Sequence, residues 1–203
     1  LWLGTVDSIE ERLTSAEGIP CTTIHAGKLN RYLSGRTLRD LSTTPIGCLE
    51  ALAATRRLRP DVVMTVGGYV SAPAGLAAWI QRIPLLVHQQ DLTPNLANRL
   101  LAPIATQINV TFDATRRLMR RRDVHCEGNP VRKSVTNGSA ILGRQLFGLE
   151  AGVGSLLVVG GSQGAVAINR VILDSLDRFI EEVNVIHVTG EASYDDALHR
   201  RNH

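Results

Sequence analysis

The sequence predicts an α/β protein built on parallel sheets and arranged as two successive α/β series. Three observations carry this expectation. Short apolar runs of strand type alternate with stretches of helical character along all 203 residues, the pattern of parallel sheets covered on both faces. Two of those runs end in matched glycine turns, Val66-Gly67-Gly68-Tyr69-Val70-Ser71 and Val159-Gly160-Gly161-Ser162-Gln163-Gly164-Ala165. Each turn opens onto a helix-like segment. Backbone N–H groups then gather at the positive end of a helix dipole, a place suited to phosphate.

Taken in order, residues 1–4 read as a strand, and Asp7 is placed to cap a helix over residues 8–16. A strand over 21–24 precedes a long helix over 36–58, which contains Pro45 and so lacks one of its hydrogen bonds. Strands follow at 62–66, 85–88, 107–110 and 124–126. Helices alternate with them at 72–81, 94–101 and 113–121, the second with Asn98 and Arg99 on its polar side. The sharp turn Gly128-Asn-Pro-Val-Arg132 closes this series, and Thr136-Asn-Gly-Ser139 is polar and turn-rich. The expected domains are therefore 1–135 and 136–203. The second series holds helices at 139–147, 165–180 and 194–200 and strands at 156–159 and 183–188, too little for a finished doubly wound domain. The chain begins without a methionine inside a strand and stops just after a strand–helix unit has begun. Both ends read as cuts.

Composition narrows the function classes. Hydrophobic content of 44% and a net charge of +3 fit a globular protein, and no apolar run approaches the length of a membrane span. With three Phe and three Tyr and no basic–aromatic alternation, a nucleic-acid surface is not expected. Cys21, Cys48 and Cys126 lack metal-ligand spacing and read as buried thiols in a reducing cytoplasm. Arg120-Arg-Arg122 reads as a solvated helix end.

The motifs have plain alternatives. Gly160-Gly-Ser-Gln-Gly164 lacks the spacing of a dinucleotide fingerprint and the Gly-Lys-Ser/Thr of a P-loop; it is either a tight turn needing positive φ or an anion site carrying the Ser162 hydroxyl. Gly67-Gly-Tyr-Val-Ser71 offers the same geometry with a phenol and a hydroxyl, or is a strand exit with Tyr69 on the surface. His88 and Asp91 stand at the carboxyl end of a strand, where ligands sit in open α/β sheets. Arg132 is either a phosphate contact or a linker arginine.

Seven motifs in this order, Trp2-Leu-Gly-Thr5, Arg59-Pro-Asp-Val-Val63, Gly67-Gly-Tyr-Val-Ser71, His88-Gln-Gln, Leu96-Ala-Asn-Arg99, Gly128-Asn-Pro-Val-Arg132 and Gly160-Gly-Ser-Gln-Gly-Ala165, resemble the MurG family of peptidoglycan N-acetylglucosaminyltransferases across essentially the whole chain. The resemblance implies a GT-B fold of two Rossmann-like domains with a cleft between them. The first would lack its opening strand and loop, and the second would be present only at its start. It implies inverting transfer of N-acetylglucosamine from UDP-N-acetylglucosamine to lipid I, forming lipid II. No cofactor is implied, nor a metal, since an Asp-x-Asp motif is missing. The membrane surface is the implied further partner, with a peripheral location on the cytoplasmic face of the bacterial cell membrane.

Residue by residue, the resemblance places Arg132, Gly161, Ser162, Gln163 and Gly164 on the UDP-sugar donor. Asp91 stands where the family usually has a donor-contacting asparagine, and Gln89 where a glutamate is common. Gly67, Gly68, Tyr69 and Ser71 form the family's second glycine loop, associated with the acceptor's pyrophosphate, with His88 beside it. The histidine proposed as the family's base would precede Leu1, so no catalytic residue is expected here and the chain alone is expected to be inactive. The alternatives are another GT-B enzyme, such as a UDP-sugar 2-epimerase or glycolipid transferase, and a non-catalytic module binding a lipid pyrophosphate through residues 67–71.

Overall fold

The computed structural model describes residues 1–26, 35–119, 121, 123–161 and 164–201. They form two compact units, Leu1–Pro130 and Val131–His203. The division falls inside the Gly128–Arg132 turn, ahead of the 135/136 boundary drawn from composition.

In the first unit, β1 (Trp2–Gly4) and β2 (Cys21–Thr23) pair in parallel across the crossover helix α1 (Ile9–Ala16). Ser8 caps α1, where Asp7 was expected to. The Ser8 hydroxyl accepts the Glu11 N–H at 3.1 Å, while the Glu11 carboxylate accepts the Asp7 N–H at 2.8 Å. This reciprocal arrangement, close to a capping box, moves the cap one residue on. The long helix α2 (Gly35–Leu58) continues through Pro45.

A four-stranded parallel sheet follows in sequential order: β3 (Val63–Thr65), β4 (Leu85–Gln89), β5 (Gln107–Val110) and β6 (Val124–Cys126). Its crossovers are α3 (Ser71–Ile80), α4 (Leu96–Leu101) and α5 (Asp113–Arg116). The last of these gives way to a 3-10 turn at Arg117–Met119 instead of running on to Arg121. The core sits on the central strands: Leu85, Val87, Ile108 and Val110 are buried together with Ala78, Leu101 and Met119. Along β5, Gln107-Ile-Asn-Val110, the alternate residues Ile108 and Val110 enter this core while Gln107 is exposed. The helix α3 approaches α4 closely because Gly75 has no side chain; a Cβ there would lie 2.6 Å from both Leu101 methyl carbons.

Among the described residues, the outer edges of β1 and β3 are unpaired. Trp2 donates its N–H to the Pro20 carbonyl at 2.8 Å, and Val63 to the Pro84 carbonyl at 2.9 Å. In a parallel ladder alternate residues face opposite sides, so Leu3 and Met64 turn their backbone groups away from β2 and β4. Both strands line a cavity of about 620 Å³.

In the second unit, β7 (Gly154–Val159) and β8 (Val183–Val188) pair in parallel with Gly154 opposite Val183. A short helix α6 (Lys133–Thr136), not foreseen in the sequence, precedes α7 (Ala140–Phe147). The single helix expected over 165–180 is two, α8 (Val166–Asp174) and α9 (Leu176–Ile180). Between them Ser175 leaves helical geometry at φ −115°, ψ 8°. The final helix is α10 (Tyr194–Arg201).

Two further expectations change. Cys21 and Cys48 are only partly buried and Cys126 is exposed; Cys126 ends β6, an edge strand with one neighbour. Partial burial pushes the Cys48 thiol up. Arg121 is not simply solvated. Its guanidinium donates to the Ala102 and Ala105 carbonyls at 2.9 and 2.6 Å and pairs with Asp123. It thereby satisfies carbonyls left over where α4 ends.

The exit of β2 is clipped to α2. Glu50 accepts the His25 N–H at 2.6 Å and meets the His25 ring at 2.8 Å. Gly47 leaves room for the His25 carbonyl, which a Cβ would overlap. The His25 N–H, and then its ring, hold the Glu50 carboxyl below its usual range. Such a depressed acid stabilises the fold above its unfolded pKa of about 4.3, and that contribution fades as pH falls through the lower folded value. Glu50→Gln is therefore expected to lower the urea midpoint at pH 7 by an amount worth less than about 1 kcal/mol, since the pair is largely exposed. The two midpoints should converge near pH 3; a gap that persists there would show that the carboxylate is not the source.

Candidate functional site

The first glycine turn leaves β3 with Gly67 at φ 98° and Gly68 at φ 86°, values that L side chains strongly disfavour. Gly67 is doubly constrained, because a Cβ would overlap the Asn95 amide. The Ser71 hydroxyl donates back to the Gly67 carbonyl and closes the turn. It is thus engaged within the loop, and the backbone N–H is what Ser71 has left to offer. Val70 provides no side-chain cap to α3. The first intrahelical bond is Ala74 N–H to Val70 carbonyl at 3.0 Å, and Pro73 has no N–H. The N–H groups of Ser71 and Ala72 therefore have no partner within the helix. Tyr69 is 45% exposed beside them, and residues 67–71 line the 620 Å³ cavity.

The second turn leaves β4. His88 is buried, with its Nε2 3.2 Å from the Asn129 Oδ1 of the Gly128–Arg132 turn. Gln89 is fully buried. Its Nε2 donates to the Asp91 and Thr93 carbonyls at 2.9 and 3.1 Å, and its Oε1 accepts from Asn98 Nδ2 at 2.8 Å. Asn98 was expected on the polar side of its helix. It is instead completely buried, because Gln89 and the His88 carbonyl draw its amide inward. Asn95 caps α4 by accepting the Asn98 N–H at 2.9 Å. Asp91 is exposed at the surface of this turn.

In the second unit, Gly161 and Gly164 have φ 82° and 78°, and the Gly164 N–H donates to the Gly161 carbonyl at 3.1 Å. Ser162 and Gln163 lie outside the described residues. Ala165 leaves α8 without a side-chain cap, so its first-turn N–H groups lack helical partners. The turn rests on the end of β8: a Cβ on Gly164 would overlap the Thr189 carbonyl, and one on Gly160 would lie 2.6 Å from the Ala165 nitrogen. That same Thr189 carbonyl accepts the Asn169 amide at 2.7 Å, and Asn169 Oδ1 lies 3.0 Å from His187 Nε2. Burial pushes the His187 pKa down; with the Asn169 Nδ2 given to Thr189, the Asn169 Oδ1 is left to accept from His187 Nε2. Arg132 is exposed at the start of α6.

Gly67, Gly68, Tyr69 and Ser71 thus form one loop, tied through Asn95 and Gln89 to the turn that carries Asp91. Gly161 and Gly164 form a second loop in the other unit. Asn98, expected on the polar side of its helix, and Asn169, inside the segment expected to be helical over 165–180, are buried. Their spacing within otherwise helical segments carries no sign that they are buried amides.

Residues 1–110 match the sequence model of the glycosyltransferase family 28 N-terminal domain, and residues 155–202 match the family's C-terminal domain. A Legionella pneumophila protein named UDP-N-acetylglucosamine--N-acetylmuramyl-(pentapeptide) pyrophosphoryl-undecaprenol N-acetylglucosamine transferase is 36% identical over 198 residues, 97% of this chain and 54% of the relative. A Bacillus cereus relative of the same name, numbered 2, is 32% identical over 98% of this chain and 57% of its own length. The chain spans about half the length of the curated relatives it matches. Among solved structures, Acinetobacter baumannii MurG aligns at a TM-score of 0.63 and 25% identity, over 99% of this chain and 53% of that one. The Neisseria meningitidis UDP-GlcNAc 2-epimerase aligns at 0.60 and 15%, over 98% and 60%, a likeness of fold alone.

Gly161 and Gly164 share nearly the same φ but differ in clearance, since nothing lies within 4 Å of a Cβ at Gly161. Alanine at either position adds left-handed strain of about 1–2 kcal/mol. Gly164→Ala is expected to destabilise the second unit further, because the Thr189 carbonyl must move. Equal losses for the two variants in chemical denaturation would remove the packing argument.

Proposed function

The chain belongs to glycosyltransferase family 28, and we propose that it forms part of an inverting enzyme that transfers N-acetylglucosamine from UDP-N-acetylglucosamine to lipid I, giving lipid II. The observation that carries this reading is 36% identity to the Legionella transferase across 97% of the chain. The likeness to 2-epimerases rests on the fold alone and gives that alternative little weight.

The first unit takes the acceptor. Its pyrophosphate lies against Gly67, Gly68, Tyr69 and Ser71, where the uncapped start of α3 offers backbone N–H groups and a positive dipole end. His88, held on Asn129, fixes the strand end beside that loop. The second unit takes the donor diphosphate at the start of α8, on the turn that holds Gly161, Ser162, Gln163 and Gly164. As the acceptor hydroxyl displaces UDP at the anomeric carbon, negative charge grows on the diphosphate. Oriented N–H groups and the Arg132 guanidinium meet that charge without reorganising. The residues of this chain bind and stabilise charge; none is assigned the proton of the attacking hydroxyl.

No described helix is long and apolar enough to cross a membrane. Leu76, Trp79 and Ile80 on α3 and Leu96 and Leu100 on α4 are nevertheless exposed, with Arg82 and Arg99 also at the surface. This apolar and basic face suits peripheral contact with anionic lipid on the cytoplasmic side, to which each arginine adds about 1 kcal/mol.

In the longer protein, Arg132→Ala is expected to lower kcat/KM for transfer to a lipid I analogue at least about tenfold, the loss of a charge-assisted contact to phosphate. Undiminished transfer would remove Arg132 from the donor site; absence of transfer by the folded unmodified protein would overturn the reaction. Separately, Trp79→Ser with Ile80→Ser is expected to weaken binding of this chain to anionic vesicles about tenfold or more. Unchanged binding would place the membrane contact elsewhere.

A further inference from the structure

His88 is buried, 3% exposed, although the resemblance sets it beside the acceptor's pyrophosphate. Its Nε2 lies 3.2 Å from the Asn129 Oδ1. That oxygen can only accept, so the hydrogen is on Nε2 and the ring is the donor. The His88 carbonyl is occupied as well, by Asn98 Nδ2 at 3.1 Å. The His88 ring at the end of β4 thus holds a turn that arrives from β6, on the far side of β5.

That turn reaches the ring by a stiff path. The exit of β6 stays bonded to β5 through Glu127, whose N–H donates to the Val110 carbonyl at 3.1 Å. Gly128 then reverses the chain at φ 75°, a left-handed conformation that suits glycine. The reversal carries Asn129 back past β5 to His88, which stands opposite Asn109 in the ladder. Pro130 keeps Asn129 extended and fixes its own φ. Arg132 follows with extended backbone at φ −63°, ψ 137°, and its carbonyl accepts the Val135 N–H at 2.9 Å as α6 begins. Arg132 therefore lies three positions after the residue that His88 holds, with proline removing much of the freedom between them.

We propose that His88 is a positioning residue for the donor diphosphate: by holding Asn129 it fixes where the chain leaves the first unit and so restricts the positions open to Arg132. The proposal deepens the proposed reaction and rests on the reading of Arg132 as a donor contact. The chemistry favours this role over direct contact with the acceptor. A buried ring whose Nε2–H is already given to an amide has no hydrogen on that nitrogen left for phosphate. Asn129 is exposed, so its amide does not need the ring for want of water. What the bond adds is a fixed place for the turn. Without it Asn129 turns to solvent, Arg132 samples more positions, and ordering it on the diphosphate costs more.

The test is UDP binding by calorimetry in the longer protein, which reads the diphosphate contact without any sugar transfer. Asn129→Ala is expected to weaken the Kd for UDP about threefold or more, the scale on which one hydrogen bond acts. Being exposed, it carries the test should His88→Ala fold poorly. His88→Ala should show the same loss, and the double variant should be no weaker than either single one. His88→Gln, which keeps an N–H donor, should bind UDP as the unmodified protein does. KM for a lipid I analogue should be unchanged in Asn129→Ala. Additive losses, or His88→Gln as weak as His88→Ala, would overturn the proposal. So would a raised KM for the lipid I analogue in His88→Ala that Asn129→Ala does not share, which returns the ring to the acceptor. Arg132→Ala separates the two readings. If it weakens UDP binding while Asn129→Ala does not, this proposal alone fails; if it leaves UDP binding unchanged, the donor reading of Arg132 fails and the proposal with it.

Discussion

Main chain lies against main chain or side chain at several points in this molecule where no Cβ can intervene, and the rest of the architecture is arranged around those close approaches. Gly75 brings α3 onto Leu101, Gly47 admits the His25 carbonyl, Gly67 admits the Asn95 amide, and Gly164 rests on the Thr189 carbonyl. Each is a place where one element is seated by contact with the backbone of another or with a short side chain. Two of them lie in the strand-to-helix turns from which N–H groups project. The same absence of side chains that lets the chain turn also exposes the donors that suit phosphate.

The amides around these turns do a complementary job. In the first unit Gln89, Asn95 and Asn98 bond to one another and to backbone groups, apart from the Asn98 Oδ1, which is buried with no hydrogen-bond partner. In the second, Asn169 bridges His187 and the Thr189 carbonyl. Buried amides of this kind stabilise only when nearly every donor and acceptor is matched, so they fix loop geometry more sharply than apolar packing would. They are neutral, and their hydrogen bonds persist where those of carboxylates would titrate.

Most of the strand and helix pattern was legible in the sequence. The strands 107–110, 124–126 and 183–188 have the bounds expected of them; over 183–188 the β-branched content favours a strand. The glycine turns were legible for the same reason. What could not be read was tertiary. Ser8 displaced Asp7 as a cap through a reciprocal bond to Glu11, and Ser175 interrupted a helix whose apolar periodicity continues past it. Asn98 looked like a surface residue because nothing local announces that a strand-end glutamine and a carbonyl wait beneath it. The site was legible as loops and illegible as the network that holds them.

Among the described residues, the outer edges of β1 and β3 are unpaired, which bears on what those edges can accept. Leu3 and Met64 present N–H and C=O groups along two parallel edges that share an apolar cavity, and Val62 and Met64 are more than half exposed there. Such an edge is a template for any extended polypeptide. Natural sheets blunt their margins with lysine, proline or a bulge, and β1 and the Val63–Thr65 strand carry none of these. Among the described residues, β1 and β3 therefore each keep a margin open to one more extended segment, and main-chain hydrogen bonding there would add a strand in register with the sheet.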